Sequence, residues 1–359
     1  MILKQLLLTV LLLSGVAYAQ QINVAYYNFA GIEVTKDQAC YFSEFHITDT
    51  GVLHNRFFMA SNKIALVEHF KDTAALIKEG KSLSFYINEQ LKSIGQYKEN
   101  KRDGLWLSFY PNGYLKDSVW YNMVEPVGIA LSWHKNGMIA DSVHYGADKS
   151  FKITWFDNGQ PGSYGYFREK EDSLTGKWIN FHRNGAKASE LEYDNQGQLI
   201  KAVYYDENGQ VAEAEAWDSY VKQVNLFYTD FGKYLNDSFY FKPDFGNRSY
   251  LEYVAIVDIA LDENGKISDV FFALDLDEGF KKVLLDKIYA FKHWKSFKDK
   301  NRNVAGVFPF NGTFYGHKSE GQVGLGDRLM KAPQKFRSEP RLYKRNDRLY
   351  QGLPKQDKW

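Results

Sequence analysis

Apolar residues recur along this chain with a period of about 24 residues between Gly80 and Tyr240. Each copy centres on a tight-turn pair, most often Asn-Gly, flanked by alternating apolar and polar positions, a combination that signals a β-hairpin. Aligned on the second turn residue, the copies are anchored at Glu89, Gly113, Gly137, Gly159, Gly185, Gly209 and Gly232. Six residues before each anchor stands an aliphatic side chain: Leu83, Leu107, Leu131, Ile153, Ile179, Val203 and Leu226. Four before stands an aromatic one: Phe85, Phe109, Trp133, Trp155, Phe181, Tyr205 and Tyr228. Eight after stands another: Tyr97, Tyr121, Tyr145, Phe167, Tyr193, Trp217 and Tyr240. Gly80, Gly104, Gly128 and Gly176 lie nine before their anchors, where the preceding strand has to turn back. The pattern predicts seven hairpins with type I′ turns, joined into one mainly β meander.

Positions −6 and −4 share one face of a strand, because side chains alternate with period two. Even offsets are therefore read as the core face and odd offsets as the outer one. That reading exposes an aromatic row at −7 and −3, comprising Tyr86, Trp106, Tyr110, His134, Phe156, Trp178 and His182. Small polar residues at −5 (Ser84, Ser108, Ser132, Thr154, Asn180) interleave with it. Such a row could stack sugar rings or dock a peptide strand; ordinary cross-strand pairing on a half-solvated face is the plainer account. Upstream, Tyr41 to Ile47 and Phe57 to Phe70 read as degenerate lead-in strands that cap the open sheet edge.

The units resemble the MORN-repeat variant, which runs from Gly through an aromatic and Asn-Gly to a Tyr-ended strand. Gly104-Leu105-Trp106 through Asn112-Gly113 to Tyr121 matches best, followed by Gly176-Lys177-Trp178 through Asn184-Gly185 to Tyr193. The resemblance implies a β-hairpin repeat meander and, since the family includes antitoxin-labelled proteins and binding scaffolds, no particular chemistry.

From Tyr250 the period stops. A strand, Tyr253 to Leu261, leads through a turn at Asn264-Gly265 to a second, Ile267 to Leu274. An amphipathic helix follows, with Phe280, Val283, Leu284, Ile288 and Phe291 on one face and Asp277 as its N-cap. After Trp294, Val304 to Tyr315 supplies a last strand. This small α+β module resembles the C-terminal domain of TonB-type energy transducers, on the strength of Asn264-Gly265, Trp294 and Phe310 to Phe314. It departs from that family where Lys295 and Ser296 replace the usual proline, and it lacks a proline-rich spacer. The resemblance implies capture of a partner strand at the sheet edge.

The first residues carry Lys4, an apolar run from Leu6 to Leu13, and Ala17-Tyr18-Ala19 before Gln20, the pattern of a secretory signal peptide cleaved after Ala19. Periplasmic or secreted localisation follows; an uncleaved anchor is the alternative. No cysteine follows the cleavage site except Cys40, so no internal disulfide is available. Near-neutral net charge, +1, argues against nucleic acid. From Lys318 to Trp359, however, eleven Lys or Arg stand against five Asp or Glu, which reads as a solvated basic tail. The chain thus divides into a signal peptide (1–19), capping strands (20–79), hairpin repeats (80–248), the α+β module (249–316) and a disordered tail (317–359).

No motif supplies a nucleophile, base and orienting group together. Cys40 and His46 read as a packed cysteine and a surface histidine. His134 and His182 both occupy −3, but two intervening hairpins separate them by roughly 19 Å at about 4.8 Å per strand, too far for one ion. The acidic run Asp275 to Gly279 lacks EF-hand spacing and caps a helix instead. The chain reads as a non-catalytic envelope binding protein with no cofactor and no metal. Its expected partner is a protein or peptide segment, such as that of an outer-membrane protein, or a surface polysaccharide. A tethered energy transducer and an antitoxin-like inhibitor are the alternatives.

Overall fold

A computed structural model describes residues 22–28, 31–168, 173–214, 220–299 and 302–325. The predicted signal segment and most of the basic tail lie outside the described residues. Sixteen strands, β1 (Ile22–Tyr27) through β16 (Val211–Ala212), form one antiparallel sheet in strict sequence order. The lead-in strands β2 (Tyr41–Thr48), β3 (Gly51–Phe58) and β4 (Ile64–Phe70) pair directly onto the repeats.

The turns fall where the Asn-Gly pairs stand, but their geometry is not type I′. Only the glycine has positive φ: +86° at Gly113 and Gly137, +83° at Gly159, +88° at Gly185, +81° at Gly209. Its N–H donates to the carbonyl of residue −3, as from Gly113 to Tyr110 at 2.8 Å, and the asparagine side chain accepts the next-but-one N–H in the first four of these turns, Asp206 taking that part at Gly209. This is a type I turn followed by a left-handed glycine. The first copy reaches the same conformation with Glu89 at φ +65°, and Gly265 repeats it at +76° in the module hairpin.

A second irregularity follows. Phe109 pairs with Leu115, yet Ser108 pairs with Asp117, so Lys116 is an extra residue. The same bulge recurs at Lys92, Ala140, Gly162 and Ala188. One inserted residue moves every later side chain to the opposite face. The +8 aromatics therefore join −7 and −3, not −6 and −4.

The seventh copy is not a hairpin. Tyr220–Ser238 forms a helix, α1, with Val224, Phe227, Tyr228, Phe231 and Leu235 buried along one side at helical spacing. Trp217 lies outside the described residues. This copy has no Asn before its glycine, and without the turn pair a helical stripe prevails.

Helix α1 and helix α2 (Glu278–Ala290) share one aromatic-rich core with a four-stranded sheet ordered β18-β17-β21-β22. Here β17 is Tyr250–Leu261, β18 Ile267–Phe272, β21 Gly306–His317 and β22 Gly324–Leu325. A small hairpin, β19 (Phe297–Asp299) with β20 (Arg302–Val304), precedes β21. Asp277 caps α2 as expected, accepting the Phe280 N–H at 2.9 Å. The module is larger than 249–316. It starts at α1, and it extends past 317 because Val323, fully buried, exchanges backbone hydrogen bonds with Phe241.

Candidate functional site

The predicted aromatic row is not exposed. Tyr110 is 3% exposed and Trp178 6%, and Tyr86, Trp106, His134 and His182 are equally buried; only Phe156 is half-buried. Their polar atoms serve the sheet itself. Tyr86 and Tyr110 donate to the carbonyls of Phe109 and Trp133, one repeat onward, at 2.8 and 2.7 Å. His134 and His182 reach Trp155 and Tyr205 in the same way, both at 2.9 Å, with Nε2 donating because a carbonyl can only accept. The −7 tryptophans lie over glycines of the preceding hairpin: a Cβ on Gly95 would meet the Trp106 ring at 2.1 Å, and one on Gly165 the Trp178 ring at 2.3 Å. Their indole N–H groups donate to Gln96 and Tyr166 carbonyls. Odd offsets are thus the packed face, and each hairpin leans on its neighbour.

The module docks on the turn end of that face. Phe271 of β18 meets Tyr86 edge-on at 5.2 Å, Lys135 pairs with Asp269, and Arg183 bridges Asp157 and Glu263. Arg302 donates to the main-chain oxygens of Gly162 and Phe181. Within the seam Asp258 faces Lys116, Lys92 and Lys135. Burial pushes its carboxyl up to about 6, the three lysines offset that only in part, and Asp269 adds to the rise. Between about pH 3.8 and pH 6 the folded chain therefore holds a proton that the unfolded chain releases, so stability falls as pH rises through this window. Asp258→Asn should raise stability by about 1–3 kcal/mol at pH 7.5 and leave it unchanged at pH 3.5, as read from urea melts.

Even offsets form the open face. Three cross-strand ladders run over it. The central one goes unbroken from Leu83 to Val203 through Leu107, Ser118, Leu131, Ser142 and Ile153. Beside it Leu105, Trp120, Val127, His144, Phe151 and Tyr166 occupy the −8 side, and the −4 aromatics the turn side. Trp120 is 53% exposed and Ile129 58%. The side chains that meet the module, Tyr86, Lys135 and Arg183, belong to none of these ladders.

Two other features of the sheet bring polar groups together. Ser43, His54 and Glu68 stand in sequence across β2, β3 and β4: His54 Nε2 lies 3.0 Å from Ser43 Oγ, and Nδ1 3.6 Å from Glu68. The order is that of a hydrolase relay, but Ser43 is fully buried and also accepts from Arg56 at 3.2 Å, so no substrate reaches it. A cleft of about 390 Å³ lies between Lys149, Tyr166, Thr175, Gly176 and Tyr193. The Tyr166 ring there is already engaged by Lys149 at 4.5 Å and Phe151 at 5.1 Å. Cys40 is half-buried and free of disulfide. Among the described residues no group of three or more His, Cys, Asp or Glu could hold a metal ion.

The hairpin geometry has a counterpart among known families. Residues 174–195 match the MORN repeat variant. The matched unit is β13 (Ser173–Phe181) with β14 (Lys187–Tyr193), which contains the buried Trp178 and the Asn184-Gly185 turn. No curated protein matches the chain.

Proposed function

We propose that this is an exported, non-catalytic protein-binding scaffold of the bacterial cell envelope, whose repeat sheet offers its even-offset face to a protein partner. The observation that supports the reading is the run of exposed large apolar side chains on that face, among them Leu105, Trp120, Ile129, Tyr164 and Tyr166, which no described residue covers. Monomers rarely expose contiguous apolar patches beyond about 300–600 Å², and larger ones mark interaction sites. The binding residues move accordingly from the −7 and −3 row to Leu105, Trp120, Ile129, Leu131 and Tyr166. Export rests on the leader-like pattern of residues 1–19.

The module has a separate role in this reading. Strand β18 pairs with β17 on one side only and forms an edge of its sheet, so an extended peptide could add there, as the TonB-like order of elements implies. Photo-crosslinking in cells of the native host tests the main reading. A crosslinker at Trp120 should give a protein adduct, whereas one at Tyr289, exposed on α2, should not. Absence of any protein adduct from position 120 would defeat the proposal.

A further inference from the structure

We infer that the partner on the even-offset face is a second copy of this chain, an inference that rests on the scaffold reading above. Size is the first argument. The central ladder crosses eleven strands, so at about 4.8 Å per strand the face is about 50 Å long, and from −8 to −4 it is about 14 Å wide. That is roughly 700 Å² per copy, of which a two-fold pairing centred between the strands of Ser118 and Leu131 covers the eight strands from Leu83 to Tyr164, roughly 540 Å², near the lower limit of about 600 Å² per partner for a stable interface.

Self-complementarity is the second. Across the middle of the central ladder, large and small side chains alternate strand by strand: Leu107, Ser118, Leu131, Ser142, Ile153. Two such faces can stack as a β-sandwich, about 10 Å apart. A two-fold axis running along the strands, between those of Ser118 and Leu131, sets Leu131 of each copy opposite Ser118 of the other. The same axis sets Leu107 opposite Ser142 and, one strand further out, Ile94 opposite Ile153, so the large-into-small fit is confined to the four central strands. Each leucine then enters the space left by a serine, as close packing requires. Charge enters the central ladder only near its far end, at Glu190, which pairs with Lys177 and Lys187, so the strands around the axis are apolar and the distal end is polar.

The test is the mass of the full mature chain by sedimentation equilibrium between about 1 and 100 μM. The wild type should be a dimer. Trp120→Glu, at an exposed position that folding tolerates, should raise the dimer dissociation constant at least about tenfold, with a melting curve unchanged at concentrations where both chains are monomers. Ser142→Leu is the sharper variant: it makes the face more apolar but fills the space for Leu107, so it should also weaken the dimer. Tighter association of Ser142→Leu than of the wild type would overturn the proposal, since unspecific apolar adhesion behaves that way. A monomeric wild type would overturn it as well. In that case, a Trp120 adduct to a different protein preserves the scaffold reading, whereas adducts to lipid alone, or none, remove both.

Discussion

Trp178→Ala should destabilise the protein by about 3–5 kcal/mol, the usual cost of deleting a buried tryptophan side chain. The indole fills the space above Gly165, where no Cβ could fit, and its N–H donates to the Tyr166 carbonyl at 2.6 Å. Removing it opens a cavity between two hairpins and leaves a carbonyl without its donor. Because each hairpin of a repeat sheet leans chiefly on its neighbours, the damage should stay local. Hydrogen exchange should show loss of protection in the strands 161–168 and 173–193 well before those of the C-terminal module. Urea denaturation supplies the magnitude. A loss below about 1 kcal/mol would mean that the odd-offset face is not the packed one.

Glu68→Gln should cost about 3 kcal/mol at pH 7 and flatten the acid limb of the stability profile. Burial alone would push the Glu68 carboxyl up, but the His54 ring 3.6 Å away and the charge and hydrogen bond of Lys78, 2.6 Å away, hold it at about 2. Its folded value lies below the unfolded 4.5, so the stabilisation is complete above that pH and is lost as pH falls toward 2. His54 adds to the same slope at higher pH. Burial, with Arg56 and Lys78, lowers its affinity for a proton, so the unfolded chain takes up the proton first as pH falls below 6.5. Urea melts at pH 7, 4.5 and 3 should show the wild type losing stability across the lower interval and the variant losing markedly less. Equal slopes would place the acid sensitivity elsewhere.

Much of this molecule could be read locally. The anchors Gly113, Gly137, Gly159, Gly185 and Gly209 all take positive φ, because only glycine enters that region without steric cost. The Asp277 cap and the strands from Tyr250 to Phe272 could be read for the same reason: each depends on a few adjacent residues. The bulge could not. Lys92, Lys116, Ala140, Gly162 and Ala188 share no chemistry, so nothing in the residues announces that parity changes there. The seventh copy misled for a related reason: Leu226 and Tyr228 satisfy the hairpin template, while Phe227, Phe231 and Leu235 satisfy a helical one. Its missing Asn-Gly was the discriminating signal.

The open face could not be read from pattern at all. Both sides of the repeat strands carry large apolar residues, −6 and −4 on one, −7, −3 and +8 on the other. Period-two alternation separates the two sets without saying which will be covered. Residue order determined where the repeat strands turn and in what sequence they pair, since those are short-range properties of turn residues and alternation. Burial of Trp178 and exposure of Trp120 were settled by long-range contacts: hairpin leaning on hairpin, and the module docking through Phe271, Asp269, Glu263 and Arg302 on one side of the sheet and not the other.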